Sequence, residues 1–386
     1  LLLHLSQFST DESRLQRIVP AIISLLEDSN ALIRALSIRV LTTTLSSVQT
    51  FPPSDAKIFP EYIFKRLYLL INDQLCVRVA FAECIASLAE TSKRFLDVSH
   101  AMRLHELVDN NNKTETTEDV TVGNVASGGG ATNSSIPAFP DDVTKLLGDN
   151  TNDFLSDAET PSPHPPPPSS HTTAYRTTKP DNTVPPTTLI PNTYDTDLAS
   201  LHETISRWVV QITTDSSPHS VEPKLALLQS LPSLSSFFGP DGVTSRILPQ
   251  ILAFLNDRNG SLRAELCSTL PSVCAVIGRV KTEHFVVPCV ETALVDSEER
   301  VVMAALACLG RVVSMGLVSR AILLTTPSRT GLLEKYCPLL LHPSAGIRYG
   351  IVGLLRSAAR CCLKGVDGMA FLRPLLGGYV VAMPGE

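Results

Sequence analysis

Apolar residues recur at three- and four-residue intervals over positions 1–107 and again from 198 onward, the spacing that turns one face of an α-helix toward a core. Ile33, Leu36, Val40, Leu41 and Leu45 follow it. So do Leu198, Leu201, Ile205, Trp208, Val209 and Ile212, which predict a helix over about 198–213, followed by a second over about 221–238. Between 108 and 197 the pattern stops. The chain therefore reads as two helical regions, 1–107 and 198–386, around an insert of 108–197.

The helical regions repeat. A first apolar stretch ends in Asp or Asn, a short turn follows, and a second helix opens with Arg near its start. Asp28 is followed by Arg34, Asp73 by Arg78, Asp257 by Arg263 and His342 by Arg348, each after five or six residues. Asp296 belongs to the same series, although Val302 stands where its arginine would be. Asp28 and Asp73 are 45 residues apart, Asp257 and Asp296 39, and Asp296 and His342 46. A period near 40–47 residues is that of HEAT and armadillo arrays, in which no helix pair can cover its own apolar face and neighbours must stack. The fold class expected is all-α, a HEAT-type solenoid of stacked antiparallel helix pairs. The Asp and Arg residues at fixed offsets are expected to form a polar ladder along the stacked turns, a structural role rather than a ligand site. Asp296 with Glu299 resembles a capping box. Pro20, Pro60, Pro249, Pro288 and Pro338 fall in or near the start of the first helices, where an interior proline predicts a kink.

The insert is rich in Thr, Ser, Gly and Pro and carries 12 of the 28 prolines. Such a segment buries too little apolar surface to offset its ordering entropy, so disorder is expected, with polyproline II near 161–168 and a short helix near 141–147. The run Pro161–Pro168 contains P-x-x-P, a weak match to ligands of SH3-type modules. Thr160 and Ser162 precede prolines and are candidate phosphorylation positions. The net charge of −6 is also uneven: 109–197 holds 13 acidic and 4 basic residues, leaving 25 and 28 elsewhere. The helical regions thus lack the basic excess of a nucleic-acid binder.

Aromatic residues are 5 % of the chain against 44 % hydrophobic in total, a mix that suits packed helices better than a β-sandwich. No apolar run reaches the 18–20 or so residues of a membrane span. The nine cysteines form no C-x-x-C pair, and no histidine sits at zinc-ligand spacing from them. They read as reduced core thiols, and the sequons at Asn112, Asn133 and Asn259 as chance matches. Signatures of hydrolases, P-loop proteins, zinc proteases, dinucleotide binders and protein kinases are absent. No catalytic residue, metal or cofactor is expected. The opening Leu1-Leu2-Leu3 and a first Met at 102 suggest a segment of a longer protein.

Several blocks carry a family resemblance: Asp11 to Pro20, Pro52 to Ile63, Leu88 to Leu96, Tyr194 to Leu198, Phe237 to Gly239, Phe254 to Asp257, His342-Pro343, and Ile347 to Gly350. In this order they resemble the central HEAT region of the regulatory subunit of class III phosphatidylinositol 3-kinase. Gly346, where the family has a large aromatic, and Val302, where it has Arg, depart from the pattern, and the match weakens after Gly365. The resemblance implies a larger parent, with a protein-kinase-like domain before this segment and a WD-repeat propeller after it. It implies a scaffold for the lipid-kinase catalytic subunit and a Beclin-type subunit, acting in autophagy and in endosomal and vacuolar sorting. Its location would be cytoplasmic and peripheral on endosomal and autophagic membranes, reached through the complex. The segment itself would not be an enzyme. Exposed residues of the second helices, such as Arg39 and Glu83, are candidates for the binding face. The alternative is an unrelated HEAT adaptor, such as a phosphatase scaffold or transport receptor, which explains the repeats but not the ordered blocks.

Overall fold

The computed structural model describes residues 1–52, 55, 57–115, 193–324 and 330–362. These form helices, with no strand among the described residues. After α1 (Leu2–Gln7) come six helix pairs. Pair one joins α2 (Asp11–Ser13) and α3 (Val19–Leu25) to α4 (Ala31–Ser47). Pair two joins α5 (Phe64–Leu67) to α6 (Leu75–Glu115), and pair three joins α7 (Thr193–Thr214) to α8 (Val221–Gly242). Pair four joins α9 (Leu248–Leu252) to α10 (Gly260–Ile277). Pair five joins α11 (Arg279–Lys281) and α12 (Val287–Ala293) to α13 (Glu299–Ser314). After α14 (Arg320–Leu323), pair six joins α15 (Leu332–Tyr336) to α16 (Ala345–Cys362).

The first helices are irregular because of their prolines. A proline ring clashes with the carbonyl four residues back and offers no N–H. Three times the chain answers with a five-residue π turn ending two residues before the proline: Arg14–Ile18 before Pro20, Val243–Ile247 before Pro249, and Thr282–Val286 before Pro288. Pro60 sits inside its π turn, Phe59–Ile63, and Pro338 opens a 3₁₀ turn, Cys337–Leu341. The five prolines at which kinks are expected thus sit in or just after π and 3₁₀ turns.

The second helices are longer and stack on one another, α8 on α10, α10 on α13, and α13 on α16. Their buried residues, such as Ile38, Leu41 and Leu45 of α4 and Leu266, Leu270 and Val273 of α10, join one continuous core. Asn30 and Asn259 cap α4 and α10, each accepting a hydrogen bond of 2.9 Å from a backbone N–H of the first turn. Gly239 (φ 68°) breaks α8 near its end, so that 240–242 lead into the first helix of pair four, and Gly278 (φ 80°) stands between α10 and α11; both reverse the chain in the left-handed region open to glycine.

Two expectations are corrected. Ile33 and Leu36 are exposed, at 38 % and 60 %, while Ala35, Ile38 and Leu41 form the buried side of α4. The helix is apolar on most sides, so a 3.6-residue period fits more than one face. The capping box is not formed: the residue preceding α13 is Glu298, and Asp296 accepts a hydrogen bond from the Glu298 N–H at 2.9 Å. On either side of the insert, α6 runs to Glu115 and α7 begins at Thr193. Asp195 in the first turn of α7 suits the positive end of the helix dipole. The expected polyproline segment, P-x-x-P motif, phosphorylation positions and short helix, and the chain end after 362, lie outside the described residues.

Candidate functional site

The turns between first and second helices bring the ladder residues together across neighbouring pairs. Arg34 of pair one donates from Nε and Nη2 to both carboxylate oxygens of Asp73 in pair two, at 2.7 and 2.5 Å. Its Nη1 reaches back to the carbonyls of Asp28 and Ser29. Arg263 of pair four repeats the arrangement, with Asp296 of pair five at 2.7 and 2.8 Å, the carbonyls of Asp257 and Arg258, and Glu298 at 3.2 Å. A planar guanidinium meeting a carboxylate through two parallel bonds is the strongest form of such a pair. The Arg34 side chain beside it holds the Asp73 carboxyl below its ordinary range, and Arg263 does the same for Asp296.

Arg78 of pair two pairs with Asp215 of pair three and bonds Ser217 Oγ at 3.2 Å. Asp215 was not among the ladder residues expected from sequence. Its turn is three or four residues longer than the others, so the next cation, Lys224, stands nine residues on and reaches Asp257 only at 3.9 Å. The rung between pairs five and six is missing at both ends. Val302 takes the arginine position and His342 the aspartate position. His342 keeps the local duty of the aspartate, since its Nδ1 accepts from the Ser344 N–H at 3.1 Å as Asp28 Oδ1 does from Asn30 at 2.7 Å. The carbonyl of His342 takes the Arg348 guanidinium at 2.8 Å. Arg348 has no carboxylate partner among the described residues. Where the charge pair is absent, glycines carry the joint: a Cβ at Gly350 would lie 2.9 Å from the Leu306 side chain, and one at Gly346 2.3 Å from Met303 Sδ.

A second set of pairs joins the first helices with opposite polarity, the acid on one pair and the base on the next: Glu27 with Arg66, Glu203 with Arg246, Asp241 with Lys281 and Glu291 with Lys335. Arg39 and Glu83, the candidates for a binding face, bond each other at 2.9 Å across α4 and α6 while staying more than 40 % exposed.

The blocks that carry the family resemblance hold junctions. Asp11 accepts from the Gln49 and Thr50 N–H groups at 3.0 and 2.9 Å, tying the end of α4 to α2. Burial works to raise its pKa, but these bonds and those from the Thr50 and Arg14 side chains bring it below the ordinary value. Arg94 caps the carbonyls of Leu45 and Ser46. Phe95 stacks on Phe51 with centroids 4.2 Å apart. Tyr194 of α7 donates to Asp97 of α6 at 2.6 Å, and burial together with that carboxylate pushes its hydroxyl up to about 12. Trp208 meets Phe64 and Phe81 edge-on at 5.0 and 5.1 Å.

Burial pushes the Cys267 thiol up to about 12 and Cys274 to about 11, so both remain protonated, unreactive core groups. Among the described residues no three His, Cys, Asp or Glu side chains cluster to hold a metal ion, and no helix is long and apolar enough to cross a membrane.

The family model described as "PIK3R4-like, middle domain" matches residues 1–160 and 168–383. The chain is 29 % identical over its whole length to the serine/threonine-protein kinase vps15 of Dictyostelium discoideum, of which it covers 16 %. It is 30 % identical, again over its whole length, to the serine/threonine-protein kinase VPS15 of Arabidopsis thaliana, of which it covers 21 %. Among solved structures, that of Kap121p is loosely similar, with a TM-score of 0.36 and 11 % identity over 98 % of this chain and 37 % of that one. The matching family model is that of a middle domain and not of a kinase domain. The chain belongs to the PIK3R4-like family, as its helical middle domain.

Proposed function

We propose that this chain is a non-catalytic scaffold segment of a class III phosphatidylinositol 3-kinase regulatory subunit. The observation that carries this reading is the family match over nearly the whole chain, on a fold whose recurring Arg–Asp pairs join one helix pair to the next. Stacked pairs joined by Arg–Asp rungs suit the spacing of neighbouring domains and the presentation of extended surfaces to partners. The partners are the lipid-kinase catalytic subunit and a Beclin-type subunit. The assembly works in autophagy and endosomal or vacuolar sorting, on the cytoplasmic face of those membranes, with the membrane reached through the complex. The test is co-purification of the full-length natural protein, with and without residues 1–386, followed by mass spectrometry. Loss of the lipid kinase and the Beclin-type subunit on deletion is expected. Their absence from the intact protein, or their full retention after deletion, overturns the reading.

A further inference from the structure

The second helices stack on one another, and one solvent-facing ridge can be followed from helix to helix. On α4 and α6 it carries Arg39 and Glu83, which neutralise each other. On α8 and α10 it carries Glu222 and Glu265 near the helix starts, then Ser233, Ser236, Ser268 and Ser272. On α13 it carries Arg300, Ala304, Ala307 and Arg311, and on α16 Gly353 and Arg360. Two features coincide along the C-terminal halves of these helices. A groove of about 530 Å³ runs between Pro232 and Ser236 of α8, Ser272 and Ala275 of α10, and Arg311 and Ser314 of α13. No carboxylate lies on the second helices between Glu265 and the end of α10, between Val301 and Ser314, or anywhere in α16. Arg311 and Arg360 are exposed, and neither has an ion-pair partner among the described residues. Arg356, one turn before Arg360 on α16, is exposed and likewise has no ion-pair partner among the described residues, whereas Arg39 is held by Glu83 and Arg300 bonds Ser261 Oγ at 2.7 Å.

We propose that this groove receives an acidic amphipathic helix of a partner protein. Small side chains along the floor let a helix approach within the roughly 8–10 Å of close helix packing. Three second helices side by side, at the same spacing, give a seat on the order of 25 Å long, or about 17 residues of helix at 1.5 Å each. Apolar residues of the partner fill the space against Pro232, Ala275 and Met315. Its carboxylates, on the same face, answer Arg311 and Arg360. The cations thereby set the direction and register of docking more than its strength. An anionic lipid surface would meet the arginines but leave the groove unfilled.

The proposal rests on the scaffold reading, and its test separates the two. A photo-cross-linking residue is placed at Ser272 in the full-length protein, and the complex is purified and illuminated. The expected product is a cross-link to one helical segment with acidic residues on the reacting face. Its yield should fall at least tenfold in R311E/R360E and in Ser272-adjacent Ala275→Trp, which fills the groove without touching the charges. Lysine substitution of the partner's carboxylates should restore the yield with R311E/R360E. A cross-link to a segment without acidic residues or to a second copy of this chain overturns the proposal. So does a yield indifferent to R311E/R360E, or R311E/R360E-sensitive sedimentation with phosphatidylserine vesicles in place of any cross-link. If the lipid kinase still co-purifies in those cases, the groove assignment fails while the scaffold reading stands. If the kinase is absent from the intact protein, the scaffold reading fails first.

Discussion

The ion pair at Arg263 does more than the one at Arg39 because of what surrounds each. The Arg263 and Asp296 side chains keep only 10 % and 13 % of their surface exposed, and the guanidinium also holds two turn carbonyls. Removing it strands a partly buried carboxylate and two acceptors. Arg263→Ala is therefore expected to destabilise the chain by on the order of 2 kcal/mol in denaturant unfolding. Arg39→Ala, which breaks an exposed pair, should cost less than about 1 kcal/mol. The pH dependence follows from the depressed carboxyls of Asp73 and Asp296. A carboxyl with a lower pKa in the folded than in the unfolded chain binds protons preferentially when unfolded. Its contribution is complete above the unfolded value of about 3.9 and is lost as pH falls through the lower folded value. Melting temperatures measured at pH 7, 4 and 2.5 should fall steeply over the last interval. Asp73→Asn with Asp296→Asn should lower the value at pH 7 and flatten that acid limb; an unchanged limb would show that other carboxyls govern it. The absent rung gives a complementary test. Val302→Arg and His342→Asp should each gain nothing, while the double variant should show favourable coupling of about 1 kcal/mol in a double-mutant cycle.

At the scale of elements, the joint between α13 and α16 replaces charge by contact. Gly350 admits Leu306 so closely that a side chain there must displace it, whereas a Cβ at Gly353 would meet nothing within 4 Å. Gly350→Val should therefore cost about 1–3 kcal/mol by overpacking. Gly353→Ala, in an open helical position, should gain up to about 1 kcal/mol by restricting the unfolded chain. Thermal melts of the two variants, run side by side, check the opposed signs. The same elements show what a reader of the sequence could and could not see. The offset of Asp28 to Arg34 was legible because both ends lie in one short stretch of chain. That Arg34 would bond Asp73, and not its own Asp28 side chain, was not, because the partner is supplied by stacking. Asp215 escaped because three or four extra turn residues moved it out of the repeat frame. Gly346 reads as a departure because a glycine's use lies in its neighbour, here Met303, and not in its own chain. The prolines pointed to kinks, whereas π turns are what the described helices hold there, since the widening depends on carbonyls the pattern does not name.

For the whole molecule, an array in which each pair touches only its neighbours is as cooperative as its weakest junction. The junction between pairs two and three is unusual because the chain leaves α6 at Glu115 and returns at Thr193. Close chain connection cannot hold these pairs together, so side chains must. Trp208 is 1 % exposed and sits edge-on to Phe64 and to Phe81, both from pair two, while Tyr194–Asp97 and Arg78–Asp215 flank it. Truncating such an indole removes both ring contacts and leaves a cavity, at a cost of about 3–5 kcal/mol. In an array that cost falls on one interface. Trp208→Ala should therefore split a single thermal transition into two, the pairs before the junction melting apart from those after it. Hydrogen exchange followed by mass spectrometry should show α7 and the part of α6 around Phe81 exchanging faster, with α10 and α13 unchanged. A uniform loss of protection along the whole chain would instead mean that the pairs unfold as one body, and that the nearest-neighbour description does not hold for this solenoid.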